Sequence, residues 1–245
     1  MKFVKRSVLM SLVVGTCLIV GVTDALAQKI SYSPPDRSVI YSSDMQLVVT
    51  ADGKLNQNAI TIQVNQQKKE LSVVDNLAYL QLTLQDGTNK LVVSRDGEAA
   101  QELTYIYQSP DKPVPPGFAV FYFHEAFVDG ACGDCHEMDV EPFDINNLII
   151  SEEAISLCLE CHDDRIQAKY IHGPVGMGVC TPCHDPHGTT EESLLKATGN
   201  SLCFSCHELE RIQPHLDKLR GEGTTSDLCL SCHDSHGTDK KYHLK

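Results

Sequence analysis

The chain has 245 residues, a formal net charge of −13, 42% hydrophobic residues, no tryptophan and eleven cysteines. That length holds one large or two small domains. The acidic balance argues against nucleic acid and anionic lipid as partners, and it is complementary to basic patches on other proteins.

Residues 1–27 read as a secretory signal. Lys2, Lys5 and Arg6 form a basic start, Val8 to Val22 is mostly apolar, and Ala25-Leu26-Ala27 is a small-residue cleavage box. The apolar run is short for a bilayer span, so cleavage leaves a mature chain with no stable membrane span. The expected location is periplasmic or extracellular. Cys17 leaves with the signal.

Residues 28–109 form the first expected domain, an all-β sandwich. From residue 30 to residue 108 there is no Cys and no His. Short β-type runs recur at Met45–Thr50, Ile60–Val64, Glu70–Val74, Tyr79–Leu84, Lys90–Ser94 and Leu103–Tyr107. Asn65-Gln66-Gln67-Lys68 is the expected hairpin turn, and Asp86-Gly87 a break. Turn signals at intervals of about 8–12 residues match the spacing of a β-sandwich. The stretch from Ile60 to Ser94 resembles the small bacterial immunoglobulin-like domains of secreted proteins. That resemblance implies a module that spaces or binds. Residues 110–117 are proline-rich and read as a stiff linker.

Residues 118–245 contain Cys-x-x-Cys-His five times. The motifs are Cys132-x-x-Cys135-His136, Cys158-x-x-Cys161-His162, Cys180-x-x-Cys183-His184, Cys203-x-x-Cys206-His207 and Cys229-x-x-Cys232-His233. This composition would produce about 0.02 chance matches over the whole chain. The motif is the attachment signature of c-type haem: two thioether cysteines and a proximal histidine on the iron. All ten mature cysteines are claimed this way. Zinc would use paired cysteines too, but it does not require a histidine after each second one. Five haem c groups, each with its iron, are expected. Five macrocycles in so short a segment must stack and replace most of a peptide core, so short helices, loops and little sheet are expected there.

Six other histidines remain: His124, His172, His187, His215, His236 and His243. The first five of these match the five haems in number and are the candidate distal ligands; His243 is the extra one, expected in solvent. His187 follows His184 by three residues, and His236 follows His233 by three. Three residues span at most about 10 Å, too little to pass round a macrocycle, so each should ligate a different haem from its neighbour. His172 and His215 can reach either their own or a neighbouring haem. Asp139 stands where His187 and His236 stand in the later units, which makes His136 the least well-provided iron ligand. All-histidine ligation lowers potentials relative to a His/Met site, for which Met177 is the alternative ligand.

The runs "HGPVGMGVCTPCHDPHG" and "LCLSCHDSHG" resemble multihaem c-type cytochromes with doubled CxxCH motifs. The resemblance implies electron transfer in anaerobic respiration, with membrane or outer-membrane cytochromes and reductases as redox partners. Two further readings are an enzyme of the nitrite or sulfite reductase type with one open haem, and a docking or filament-forming subunit built as a homo-oligomer.

Overall fold

A computed structural model describes residues 29–52, 55, 60–69, 71–74, 76–95, 99–128, 135–136, 154–221 and 229–245. The signal segment, Glu70, Cys132, Met138 and Asp139 lie outside them.

The first half is two β-sheets enclosing one apolar core. Strands β1 (Ile30–Ser33), β2 (Ser38–Ile40), β3 (Asp44–Ala51), β4 (Ile60–Val64), β5 (Gln67–Lys69), β6 (Ser72–Val74), β7 (Leu77–Thr83), β8 (Gly87–Arg95), β9 (Gln101–Tyr107) and β10 (Ala119–Val120) follow in order. One sheet runs β1-β3-β7-β6 and the other β10-β2-β9-β8-β4-β5. Period-two alternation explains the core. Met45, Leu47 and Val49 of β3 turn one way and meet Ile60 and Ile62 of β4, Leu91 and Val93 of β8, and Leu103 of β9.

The expected strands are present, with two shifts in extent: Gly87, expected in a break, already begins β8, and the first hairpin turn is shorter than expected. Val64 pairs with Gln67, so the turn is Asn65-Gln66 alone, and both residues have positive φ (47° and 73°). Gln67 and Lys68 therefore begin β5. This two-residue form matches the natural twist of a hairpin, and an asparagine tolerates its left-handed first position.

The proline-rich segment makes two turns: Lys112 N donates to Ser109 O, and Phe118 N to Pro115 O. Gln108, itself buried, donates from Nε2 to the carbonyls of Lys112 and Pro113. The chain then rejoins the sheet as β10, parallel to β2, and Phe121 enters the core.

Beyond Phe121 the elements are short. They are β11 (Tyr122–Phe123), α1 (Glu125–Val128), α2 (Ala154–His162), β12 (Tyr170–Ile171), α3 (Gly173–Gly176), β13 (Gly188–Thr189), α4 (Asn200–Phe204), α5 (Leu209–Gly221) and β14 (Gly237–Thr238). Helix α1 lies against β3. Among the described residues after Phe121 no apolar side chain is buried, and Met177, Val179, Phe204, Leu209, Leu230 and Leu244 stand open around the motifs. Among the described residues no helix is long and apolar enough to cross a membrane.

Tyr105 anchors the β unit from its centre. It is fully buried and its hydroxyl donates to Pro34 O at 2.9 Å, while burial pushes its phenol well above the usual range. Tyr105→Phe leaves that carbonyl unpaired and should cost about 1–3 kcal/mol. Urea unfolding followed by hydrogen exchange in the β unit measures it; an unchanged midpoint would contradict the assigned bond.

Candidate haem-ligand sites

Each described Cys-x-x-Cys-His motif folds as one helical turn. Cys180 O accepts from Cys183 N at 3.2 Å and from His184 N at 3.1 Å, and the same pattern recurs from Cys203 and Cys229. In the second motif α2 does this directly. Cysteines three apart and a histidine four from the first then share one face, the arrangement that a single flat group with two thioethers and one axial bond requires. None of the described cysteines is in a disulfide. The Cys180 and Cys203 thiols are pushed up first by burial, then by Cys158 and Cys229, to which they hydrogen-bond. Cys183 is raised by burial and then by Cys206. Motif two thus touches motif three, and motif four touches motif five.

Two small ladders place the other histidines. Strand β11 pairs antiparallel with β13, and β12 with β14, roughly 48 residues on. His124 N donates to His187 O at 3.3 Å at the end of the first ladder, and His172 N to His236 O at 2.9 Å at the end of the second. Both ladders need a glycine. A Cβ on Gly188 would sit 2.5 Å from Phe121 Cε1 and 2.7 Å from Tyr122 O; one on Gly237 would sit 2.6 Å from Tyr170 O. Their φ values, 149° and 157°, also favour glycine.

The imidazoles meet in pairs. His136 faces His187 with ring centres 5.7 Å apart and planes within 10° of parallel, and their Nε2 atoms are 3.5 Å apart. His184 faces His236 at 6.0 Å, and His172 faces His207 at 6.0 Å, also near-parallel. His124 meets His162 at 6.3 Å and His215 meets His233 at 6.2 Å, both edge-on. Every proximal histidine therefore has one of the five distal candidates beside it. Two imidazoles about 2 Å from one metal ion would have ring centres about 6 Å apart, so the pairs fit a shared iron. Among the described residues no three His, Cys, Asp or Glu side chains are grouped so as to hold a metal ion by themselves.

His187 lies against His136 and His236 against His184, not against the proximal histidines three residues before them. His172 reaches across to the fourth motif. His136, the least provided in the sequence, has His187. His243 is half-buried, with its ring 5.6 Å from that of His172 and its Nδ1 enclosed without a partner, whereas solvent was expected. Met177 is 60% exposed.

Sequence reasoning missed the groups that orient these rings. His184 Nδ1 donates to Ser193 O at 2.8 Å, and His233 Nδ1 to Tyr242 O at 2.7 Å. Those bonds fix the tautomer and leave Nε2 for a metal. Asp185 Oδ1 accepts from His187 N at 3.0 Å and lies 3.3 Å from its Nδ1, which holds the carboxyl below its usual range. Asp234 Oδ1 accepts from His236 N at 2.9 Å with the same effect. The repeated H-D-x-H-G run was the available signal. Burial, followed by neighbouring histidines, lowers the pKa of His124, His136, His172 and His236 toward the neutral form that ligates metals.

An aromatic row joins the β unit to the first pair. Phe121 meets Phe123 at 4.9 Å, Phe123 meets Phe127 at 6.0 Å, and Phe127 meets His187 at 5.1 Å.

A family model described as "Doubled CXXCH motif" matches residues 124–167 and 172–211. Both matched stretches open on a ladder histidine. Multiheme cytochrome MtrA of Shewanella baltica (strain OS185) is 29% identical over 94 residues, which is 36% of this chain and 27% of that relative. The chain thus spans about a quarter of that relative's length. Together these matches liken part of the chain to the multihaem c-type cytochromes and support covalently bound haem c at its motifs. Among solved structures, CopC from Methylosinus trichosporium OB3b is 14% identical, covering 35% of this chain and 98% of that one, with a TM-score of 0.29. An FMN-binding β-glucuronidase from Facaelibacterium prausnitzii L2-6 is 15% identical, covering 38% and 13%, with a TM-score of 0.29. Scores this low carry no argument about fold or function.

Gly188→Ala should open the first ladder at a cost of about 1–3 kcal/mol, the range for a strained backbone position. Hydrogen exchange at His124 and Phe123 should speed up while Ile171 and His172 in the second ladder stay protected. Equal exchange in wild type and variant would refute the clash.

Proposed function

We propose that this chain is an exported five-haem electron carrier with an Ig-like β unit in front, relaying electrons between redox proteins in the periplasm or outside the cell. The observation that carries this reading is the one-to-one meeting of five proximal with five distal histidines. Cys132 through Cys232 hold the five groups covalently. His136 with His187, His162 with His124, His184 with His236, His207 with His172 and His233 with His215 would hold the irons. Haem c supplies one-electron iron chemistry when so bound. The protein's part would be to offer two imidazoles to each iron, to orient the rings through Ser193 O, Tyr242 O, Asp185 and Asp234, and to keep neighbours close.

The pairs also suggest an order. Each ladder carries two distal ligands on hydrogen-bonded neighbours, tying site one to two and site three to four. The contacts Cys158–Cys180 and Cys203–Cys229 tie two to three and four to five. The wire then runs in chain order. A carrier needs no open iron, and the pairing closes all five, which weighs against the reductase reading.

His187→Ala should turn one ferric haem high-spin, and added imidazole should return it to low-spin. Removing the first haem by Cys132→Ala and Cys135→Ala should abolish that signal, because the same site is deleted. Electron paramagnetic resonance reads both. A high-spin signal from His187→Ala that survives loss of the first haem would refute the pairing, and binding of nitrite by the ferric wild type would refute the closed carrier.

A further inference from the structure

Two turns of one design carry opposite charge. The first runs from Thr189 to Lys196 and the second from Thr238 to Lys245. Their backbones match bond for bond. Thr189 Oγ1 donates to Glu191 O and accepts from Glu191 N, as Thr238 does with Lys240. Two consecutive left-handed residues follow, Ser193 and Leu194 at φ 59° and 58°, Tyr242 and His243 at φ 63° and 56°. Leu195 then bridges His184, and Leu244 bridges His233. Lys196 N donates to Cys183 O, and Lys245 N to Cys232 O, both at 2.9 Å.

On this common scaffold the first turn presents Glu191, Glu192 and Ser193, and the second presents Lys240, Lys241 and Tyr242. The backbone tolerates either sign, so folding does not demand the lysines. Neither does the chain's charge of −13, in which adjacent cations are uncommon. Tyr242 is 79% exposed, and its left-handed backbone is one that large side chains avoid. Leu230 and Leu244 stand open beside it. Lys245 Nζ donates to Leu230 O and Lys240 Nζ to Lys245 O, which draws the basic groups round this apolar centre. The facing acids are Asp239, bound by Lys169 N, and Asp234, held by His236 N.

We propose that the turn Lys240–Tyr242, with Leu230 and Leu244, is the docking surface for an acidic redox protein. The proposal rests on the electron-carrier reading above. An apolar centre with a charged rim suits a transient partner recognised by charge. The turn also lies one hydrogen bond from a proximal ligand, since Tyr242 O accepts from His233 Nδ1. A partner seated there stands next to the fifth site.

The test uses the holoprotein with two probes, an acidic plant-type [2Fe–2S] ferredoxin and a basic monohaem cytochrome c, with binding measured by calorimetry. The wild type should bind ferredoxin at low salt and lose it over a range of about 20–200 mM salt. K240E/K241E should weaken ferredoxin binding about tenfold and flatten the salt dependence, while E191K/E192K should not weaken it. Haem spectra read separately whether the sites themselves are intact, so failure of the carrier reading is told apart from failure of docking. Undiminished ferredoxin binding in K240E/K241E overturns the proposal. So does a variant that shifts only the fifth haem's potential, since the lysines then serve the haem carboxylates. Loss of binding to phosphatidylglycerol vesicles with ferredoxin binding unchanged also overturns it and assigns the turn to a lipid surface.

Discussion

The pairing of β11 with β13, and of β12 with β14, is the interaction on which the haem-bearing half depends. Each ladder has only two residue pairs, far below the size at which a hairpin is stable alone. Its effect is out of proportion to its length. It brings a histidine from before one motif next to a histidine from after another, and so sets two of the paired imidazoles at once. Gly188 and Gly237 permit the approach, because any Cβ there would strike the facing strand. Histidines from distant segments are therefore brought face to face without a peptide core around them.

The second constraint is the zipped turn after motifs three and five. One segment holds a proximal histidine through its Nδ1 and, three residues on, a distal histidine through its backbone and an aspartate. The two rings face different partners yet share one hydrogen-bonded support. Donation from Nδ1 to a carbonyl also enriches the imidazole and favours the oxidised iron, a tuning available to the third and fifth sites.

Much of this was legible in the sequence, and the rest had physical reasons for being hidden. Strands β3, β4, β7, β8 and β9 are long enough for alternation to show, and their alternating positions form the core. Strands β1, β2 and β10 have two to four residues, too few for a period, and β10 follows prolines that read as linker. The ten cysteines and five proximal histidines were legible because covalent chemistry fixes their spacing. The distal candidates followed from counting, and reach alone separated His187 from His184. Their partners were not legible. His172 meets His207 only because β12 finds β14, a contact between segments far apart in the chain. His243 shows the opposite limit: a count marked it as extra, while the fold encloses its ring beside His172.

The β unit takes on a more specific meaning from its junction. Its core does not stop at the proline segment: Phe121 belongs to it, and the row Phe121, Phe123, Phe127 ends on His187. Three aromatic rings in edge and stacked contact form a stiff brace, since each has few rotatable bonds and a large buried face. At the equivalent places in the second ladder stand Lys169, Ile171 and Val175, which make no such row. The first histidine pair is thus the one fixed from outside the repeat. Among the five histidine pairs, the first has its His187 ring braced by Phe127 and, through Phe123 and Phe121, by the sandwich. The sandwich then acts as the foundation from which the ligand ladder is built, rather than as a spacer hung in front of it.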